Sequence, residues 1–266
     1  MAAARRGWTR DELLVALNVY HKLTFGQFHG RQPVVMAVAQ RMGRTSNSVA
    51  MKLCNLASLD PALKLRGIAG LPGASALDRA MWQEFHANLR EMAPSSEEAL
   101  RTLFAAGPAD SVTVEPKKGV TVCKTAPLGP TETITTVKVR RGQEYFRDVV
   151  LNNFGGRCGV TGIELPELLI ASHILPWGTH PEHRLEVQNG LCLSRLHDAA
   201  FDRGLIAFDG ELRLVLSTEL KNHLPQPALE QNFAQFEGVP LVVPTDGVLP
   251  SEAYLTMHRK TIFRNS

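Results

Sequence analysis

The chain has 266 residues, 44% of them hydrophobic and 21% charged, with a formal net charge of +3. That length and apolar content support one large or two ordinary domains, and two is the better reading. No run of about 18 uninterrupted apolar residues occurs, and the short basic start, Met1 to Arg6, has no apolar stretch behind it, which excludes an evident membrane span or secretion signal. The cysteines, Cys54, Cys123, Cys158 and Cys192, lie far apart with no C-x-x-C pair, so neither a disulfide framework nor a zinc ribbon is indicated and a reducing cytoplasm is the expected location.

From Trp8 to about Ala93 the pattern is helical. Leu13, Leu14, Leu17, Tyr20 and Leu23 fall near one face of a first helix, and Thr9 with Glu12 makes a capping box. A second helix runs from Pro33 to Met42; Gly43 suits its left-handed end and Thr45 caps a third. Two short helices joined by a tight Gly-containing turn follow the helix-turn-helix or winged-helix plan, with a small helical bundle as the alternative. On the helix-turn-helix reading, Arg44 in the turn and Ser46, Asn47, Ser48, Lys52 and Asn55 on the helix that follows it are candidates to meet DNA. A further helix from about Ala76 to Glu91, with Leu77, Met81, Phe85 and Leu89 spaced for burial, closes a domain over residues 1–93. Residues 94–136 turn to Pro, Ser, Glu, Gly and Thr and are expected to be a linker, holding at most a short helix near Glu97 to Ala105.

The remaining domain, 137–266, opens with Lys138, Arg140 and Arg141, the two arginines being candidate DNA contacts, and a helix that places Phe146, Val149, Val150 and Phe154 on one face before Gly155-Gly156. Short apolar pieces follow, broken by Gly162 and Pro166, which favours strands; helical character resumes from Ser194 to Gly204, and a hairpin turns at Asp209-Gly210. The fold class expected is α+β, with a helical domain, a linker and a C-terminal strand–loop–strand–helix unit.

Within that unit stand His173 at a strand end, Asn189 in a loop and His197 on a helix. A neutral imidazole near pH 7 is suited to take a proton from water, as His173 can. An imidazole at His197 is a reasonable ligand for a divalent metal that stabilises charge on a phosphodiester, and the Asn189 amide can fix the loop or the imidazole.

Three motifs in order, "SHILPW", "NGLCL" and "HDAAFDRGLI", after a lead-in ending "RCGVTG", resemble the HNH endonuclease family with its ββα-metal core, and in particular the HNH modules of restriction endonucleases. The resemblance spans about Arg140 to Asp209. It implies a bacterial, metal-dependent DNA endonuclease in which His173 is the general base, Asn189 orients loop and base, and His197 binds the metal, Mg²⁺ or Mn²⁺. Many members carry Asp or His where this chain has Ser172, so Ser172 and a nearby carboxylate, Asp202 or Asp198, are candidates to complete the metal shell. Structural zinc is not expected, because the paired cysteines of many relatives are absent. The architecture implied is that of a modification-dependent restriction enzyme acting on double-stranded, methylated or otherwise altered DNA, as a homodimer. Two alternatives are a catalytically inactive HNH-fold regulator, for which Ser172 speaks, and an HNH nuclease acting on unmodified DNA.

Overall fold

Thr9 and Glu12 form the expected capping box: the Thr9 hydroxyl accepts the Glu12 N–H and the Glu12 carboxylate accepts the Thr9 N–H at 3.0 Å. They open α1 (Arg10–Lys22), which buries Leu13, Leu17 and Tyr20 together with two polar side chains, Asn18 and Lys22. The computed structural model describes residues 6–107, 110–124 and 134–265, in two compact units, Met1–Asp148 and Val149–Ser266.

In the first unit α2 (Pro33–Met42) ends at Gly43, whose φ of +63° is the left-handed conformation that glycine adopts without strain. The Thr45 hydroxyl then accepts the Ser48 N–H and starts α3 (Ser46–Ala57). After the single-turn α4 (Pro61–Leu65) comes α5 (Ala76–Ala87), shorter than its periodicity predicts, because Asn88 leaves helical geometry and its N–H bonds back to Glu84.

The expected linker at 94–136 is corrected over most of its described length. Pro94 lies inside α6 (Leu89–Leu103), and the chain then forms a hairpin of β1 (Ser111–Glu115) and β2 (Gly119–Cys123); residues 108–109 and 125–133 lie outside the described residues. The reason is physical. The buried stripe of α6 includes Ser96, Glu97 and Arg101 beside Met92, Ala93 and Leu100, so its composition looks solvated although its face is not.

Polar burial there is organised by charge. The Lys22 ammonium donates to Glu97 Oε2 at 2.5 Å and to Asp148 Oδ2 at 2.9 Å, and Asn18 donates to the same Glu97 oxygen at 3.1 Å. The Val114 N–H also donates to Asp148, tying the hairpin to the cluster. Burial and the Glu97 charge raise the Asp148 carboxyl to about 6 against the pull of Lys22.

The unit boundary falls within α7 (Ile134–Asn153). In the second unit β3 (Leu169–His173) pairs antiparallel with β4 (Gly190–Ser194), Leu169 opposite Ser194 and His173 opposite Gly190. Ser194 caps α8 (Arg195–Asp202), which packs on both strands, giving the strand–loop–strand–helix order expected. The predicted hairpin is β5 (Ile206–Phe208) with β6 (Leu214–Leu216), its turn held by Asp209 Oδ1, which accepts the N–H groups of Glu211 and Arg213. Short helices α9 (Thr218–Lys221) and α10 (Pro227–Asn232) follow, and α11 (Glu252–Thr261) comes last.

Gly204 makes that last packing possible. Its φ is +68°, a Cβ there would lie 2.0 Å from the Ile262 carbonyl oxygen, and its own carbonyl accepts the Arg264 N–H. Because both the left-handed backbone and the close approach oppose a side chain, Gly204→Ala is expected to lower stability by about 1–3 kcal/mol, measured by urea unfolding. An unchanged midpoint would show that the end of α11 is not held this way.

Candidate active site

β3 delivers His173 at its last residue, into a cavity of about 430 Å³ that Ser172, Trp177, Asp198, Asp202 and His258 also line. His173 Nε2 donates to the Arg184 carbonyl at 2.9 Å, which fixes the tautomer with the lone pair on Nδ1. Its ring meets Trp177 edge-on, centroids 5.2 Å apart. Burial, with a smaller push from the Arg184 charge, lowers its pKa and keeps the imidazole neutral, the state a general base requires.

Asn189 is fully buried and works on the loop between β3 and β4. Its Oδ1 accepts the Leu175 N–H at 2.8 Å, while Nδ2 donates to the carbonyls of His183 at 3.0 Å and Leu175 at 3.4 Å. The residue after His183 is Arg184, whose carbonyl holds His173, so the amide fixes the loop and through it the imidazole. The same loop is tied from α11, where the Tyr254 hydroxyl donates to Glu186 at 2.6 Å and lies 2.9 Å from His183 Nδ1. His183 and Tyr254 thus have places that sequence reasoning leaves unassigned.

His197 is corrected as a metal ligand. Its Nε2 donates to the Asn232 carbonyl at 2.8 Å, its Nδ1 accepts from the Ser194 hydroxyl at 2.8 Å, and its ring packs on Phe233. Both nitrogens are committed and the residue is 1% exposed, so it ties α8 to the last residue of α10 and does not line the cavity.

The α8 side chains that face the cavity are carboxylates. Asp198 and Asp202, a turn apart, both line the cavity. Burial raises the pKa of Asp198, offset by the Ser172 hydroxyl and Arg195, and raises that of Asp202, where the Asp198 charge adds to the effect. Ser172 Oγ is buried without a well-formed hydrogen bond, as is Nδ1 of His258, whose Nε2 donates to the Phe201 carbonyl while its ring stacks on Phe201 at 3.8 Å. Among the described residues no three His, Cys, Asp or Glu side chains form a metal-holding group. Two carboxylates with a hydroxyl nearby nevertheless fit Mg²⁺ or Mn²⁺, which take water and phosphate oxygens for the rest of their shell. His258 is the lining residue that sequence reasoning missed; it follows the motif by more than fifty positions and carries no local signal.

The candidate DNA contacts of the first unit divide. Arg44 is corrected: its guanidinium holds Glu12 at 2.7 Å and the Gly7 carbonyl at 2.6 Å and stacks 4.3 Å over Trp8, pinning the entry to α1. Lys52 is corrected likewise, gripping both oxygens of buried Asp78 at 2.8 and 2.7 Å. Arg141, 3% exposed, pairs with Glu98 and Glu144. In each case a carboxylate of the same unit, distant in sequence or one turn away, pairs with the charge. Asn47 is exposed at the start of α3, while Ser46, Ser48, Asn55 and Arg140 are half-buried, with the Asn55 amide close against Gly73.

No helix among the described residues is long and apolar enough to cross a membrane. No curated protein matches the chain. Among solved structures it is similar to a "Modification dependent TagI restriction endonuclease", with 16% identity, 59% of this chain and 52% of that chain covered, and a TM-score of 0.33; the chain spans about half that enzyme's length. Residues 158–209 match the HNH endonuclease family model, and the stretch matched contains His173, Asn189, Asp198 and Asp202. The second unit therefore carries an HNH endonuclease domain, a nuclease module.

Proposed function

We propose that the HNH domain hydrolyses phosphodiester bonds of double-stranded DNA with a divalent cation, Mg²⁺ or Mn²⁺. The observation that supports this most directly is His173, its Nε2 spent on the Arg184 carbonyl so that the lone pair lies on Nδ1, lining one cavity with the half-buried Asp198 and the more exposed Asp202. In this reading His173 takes the proton of the attacking water, and Asn189 keeps the loop and the imidazole in register. Asp198 and Asp202 hold the cation, with Ser172 beside them. When bound, that cation supplies stabilisation of the negative charge on the phosphate and the leaving oxygen.

The test separates acid from base. Asp198→Asn and Asp202→Asn are each expected to weaken Mn²⁺ binding about 10–100-fold, read by calorimetry, and to slow cleavage of a duplex, with partial recovery at high Mn²⁺. Variants that bind Mn²⁺ as the parent does would remove these carboxylates from the cation site.

The finer reading is that the helical first unit recognises the DNA, through Asn47, Ser46 and Ser48 at the start of α3 with Asn55 and Arg140 as further candidates, and that cutting requires methylated or otherwise altered bases. Support comes from the separation into two units and from the short turn between α2 and α3. A homodimer would bring two cutting sites to the two strands. Paired digestion of identical DNA, unmodified and from methylating hosts, decides: equal cutting favours an enzyme for unmodified DNA, and no cutting of either, with binding retained, favours an inactive regulator.

A further inference from the structure

Among the described residues, no acid answers the cationic side chain of Arg184. Its Nε donates to the Trp177 carbonyl and its guanidinium carbon sits 4.9 Å over the Trp177 ring. Among the described residues its two terminal nitrogens have no hydrogen-bond or ion-pair partner, although acidic residues lie on both sides in sequence. Those acids are engaged elsewhere: Glu186 accepts from Tyr254 and pairs with His183 at 3.1 Å, and Glu182 lies 3.6 Å from both His180 and His183. A guanidinium stacked on an indole and anchored through Nε is already ordered, so binding an anion through its two remaining amino groups costs little further side-chain entropy.

Its location supplies the anion. The ring it covers forms part of the wall of the His173 cavity, and the Arg184 carbonyl is the group that orients His173. We propose that Arg184 is a phosphate-binding catalytic residue: its main chain aims the base while its terminal amino groups grip a non-bridging oxygen of the DNA phosphate being attacked. One residue then couples the position of the phosphate to that of the base. The proposal rests on the reading of His173 as the base of a DNA-cutting site, and phosphate contact by planar, bidentate N–H donors is the chemistry that arginine provides and glutamine does not.

The experiment uses the full chain and a short DNA duplex that the parent cuts, or any duplex it binds. Binding is measured by fluorescence anisotropy across a salt series, in a His173→Ala background so that the DNA stays intact, with and without Arg184→Gln. The expected result is a salt dependence, log K against log salt, shallower by about 0.9, the value of one lost phosphate contact on duplex DNA. Single-turnover cleavage at saturating DNA is expected to fall about 100-fold in Arg184→Gln on the active background, with partial rescue by Arg184→Lys, which keeps the charge without the fork. An unchanged salt slope overturns the proposal whatever happens to the rate, since a residue that merely shapes the loop alters cleavage without releasing a counterion. If the parent chain cuts nothing but the slope still falls, the phosphate contact stands and the nuclease reading fails. If no duplex binds at all, both fail.

Discussion

His173→Ala is expected to cut DNA about 10²–10⁴-fold more slowly than the parent chain, the range that a positioned general base contributes, while binding the same DNA with similar affinity. The expectation follows from two facts about the imidazole: Nε2 is spent on the Arg184 carbonyl, leaving the basic lone pair on Nδ1, and burial holds the ring neutral. The alanine leaves β3 paired with β4, since His173 faces Gly190 through the main chain. Single-turnover rates in Mn²⁺ are the measurement. A variant that retains the parent's rate would move the base elsewhere in the cavity. The companion change, His197→Ala, is expected to act differently: it breaks the links to Ser194 and Asn232, so its loss of activity should follow its loss of fold in a thermal melt.

The second large effect concerns the first unit. Lys22→Met is expected to destabilise it by about 3–5 kcal/mol near pH 8, because removing the cation leaves Glu97 and Asp148 buried against each other. The pH dependence has a definite sign. Asp148, raised from 3.8 to about 6 by burial, contributes stability that is complete below pH 3.8 and is lost as the pH rises through 6. Without Lys22 its carboxyl is pushed further the same way, so the deficit of the variant grows with pH and shrinks on acidification, as Asp148 takes up its proton. Urea unfolding of parent and variant at pH 5 and pH 8, values on either side of the shifted carboxyl, measures it. A deficit of equal size at the two pH values would mean that Lys22 acts through packing alone.

What was legible in the sequence was local. The Thr9–Glu12 box, the Gly43 stop, the Thr45 cap and the His173 strand end each rest on residues within a few positions of one another, where backbone geometry and side-chain reach decide the outcome. The HNH motif was legible for the same reason, as three short runs in fixed order. What could not be read were the long-range pairings. Arg44 with Glu12, Lys52 with Asp78 and Lys22 with Glu97 join positions from 26 to 75 apart, and each converts a cation that looks available to a polyanion into an internal tie. His197 failed as a ligand for a related reason: its acceptor, the Asn232 carbonyl, lies 35 residues on, whereas the carboxylates beside it on α8 line the cavity. The misread linker shows the same limit from the other side, since Ser96, Glu97 and Arg101 are polar residues facing inward.

The Asn189 clamp has one more consequence. Its amide joins Leu175 at one foot of the loop to His183 at the other, and Tyr254 braces the second foot from α11. The tip between them, about 178–182, is outside that closure, and lengthening a closed loop costs only about 0.6 kcal/mol for each doubling. Foreign peptide spliced into the tip would leave His173 and its hydrogen bond to the Arg184 carbonyl in place, which makes this the position where the domain can accept an added surface element without redesign of the cavity.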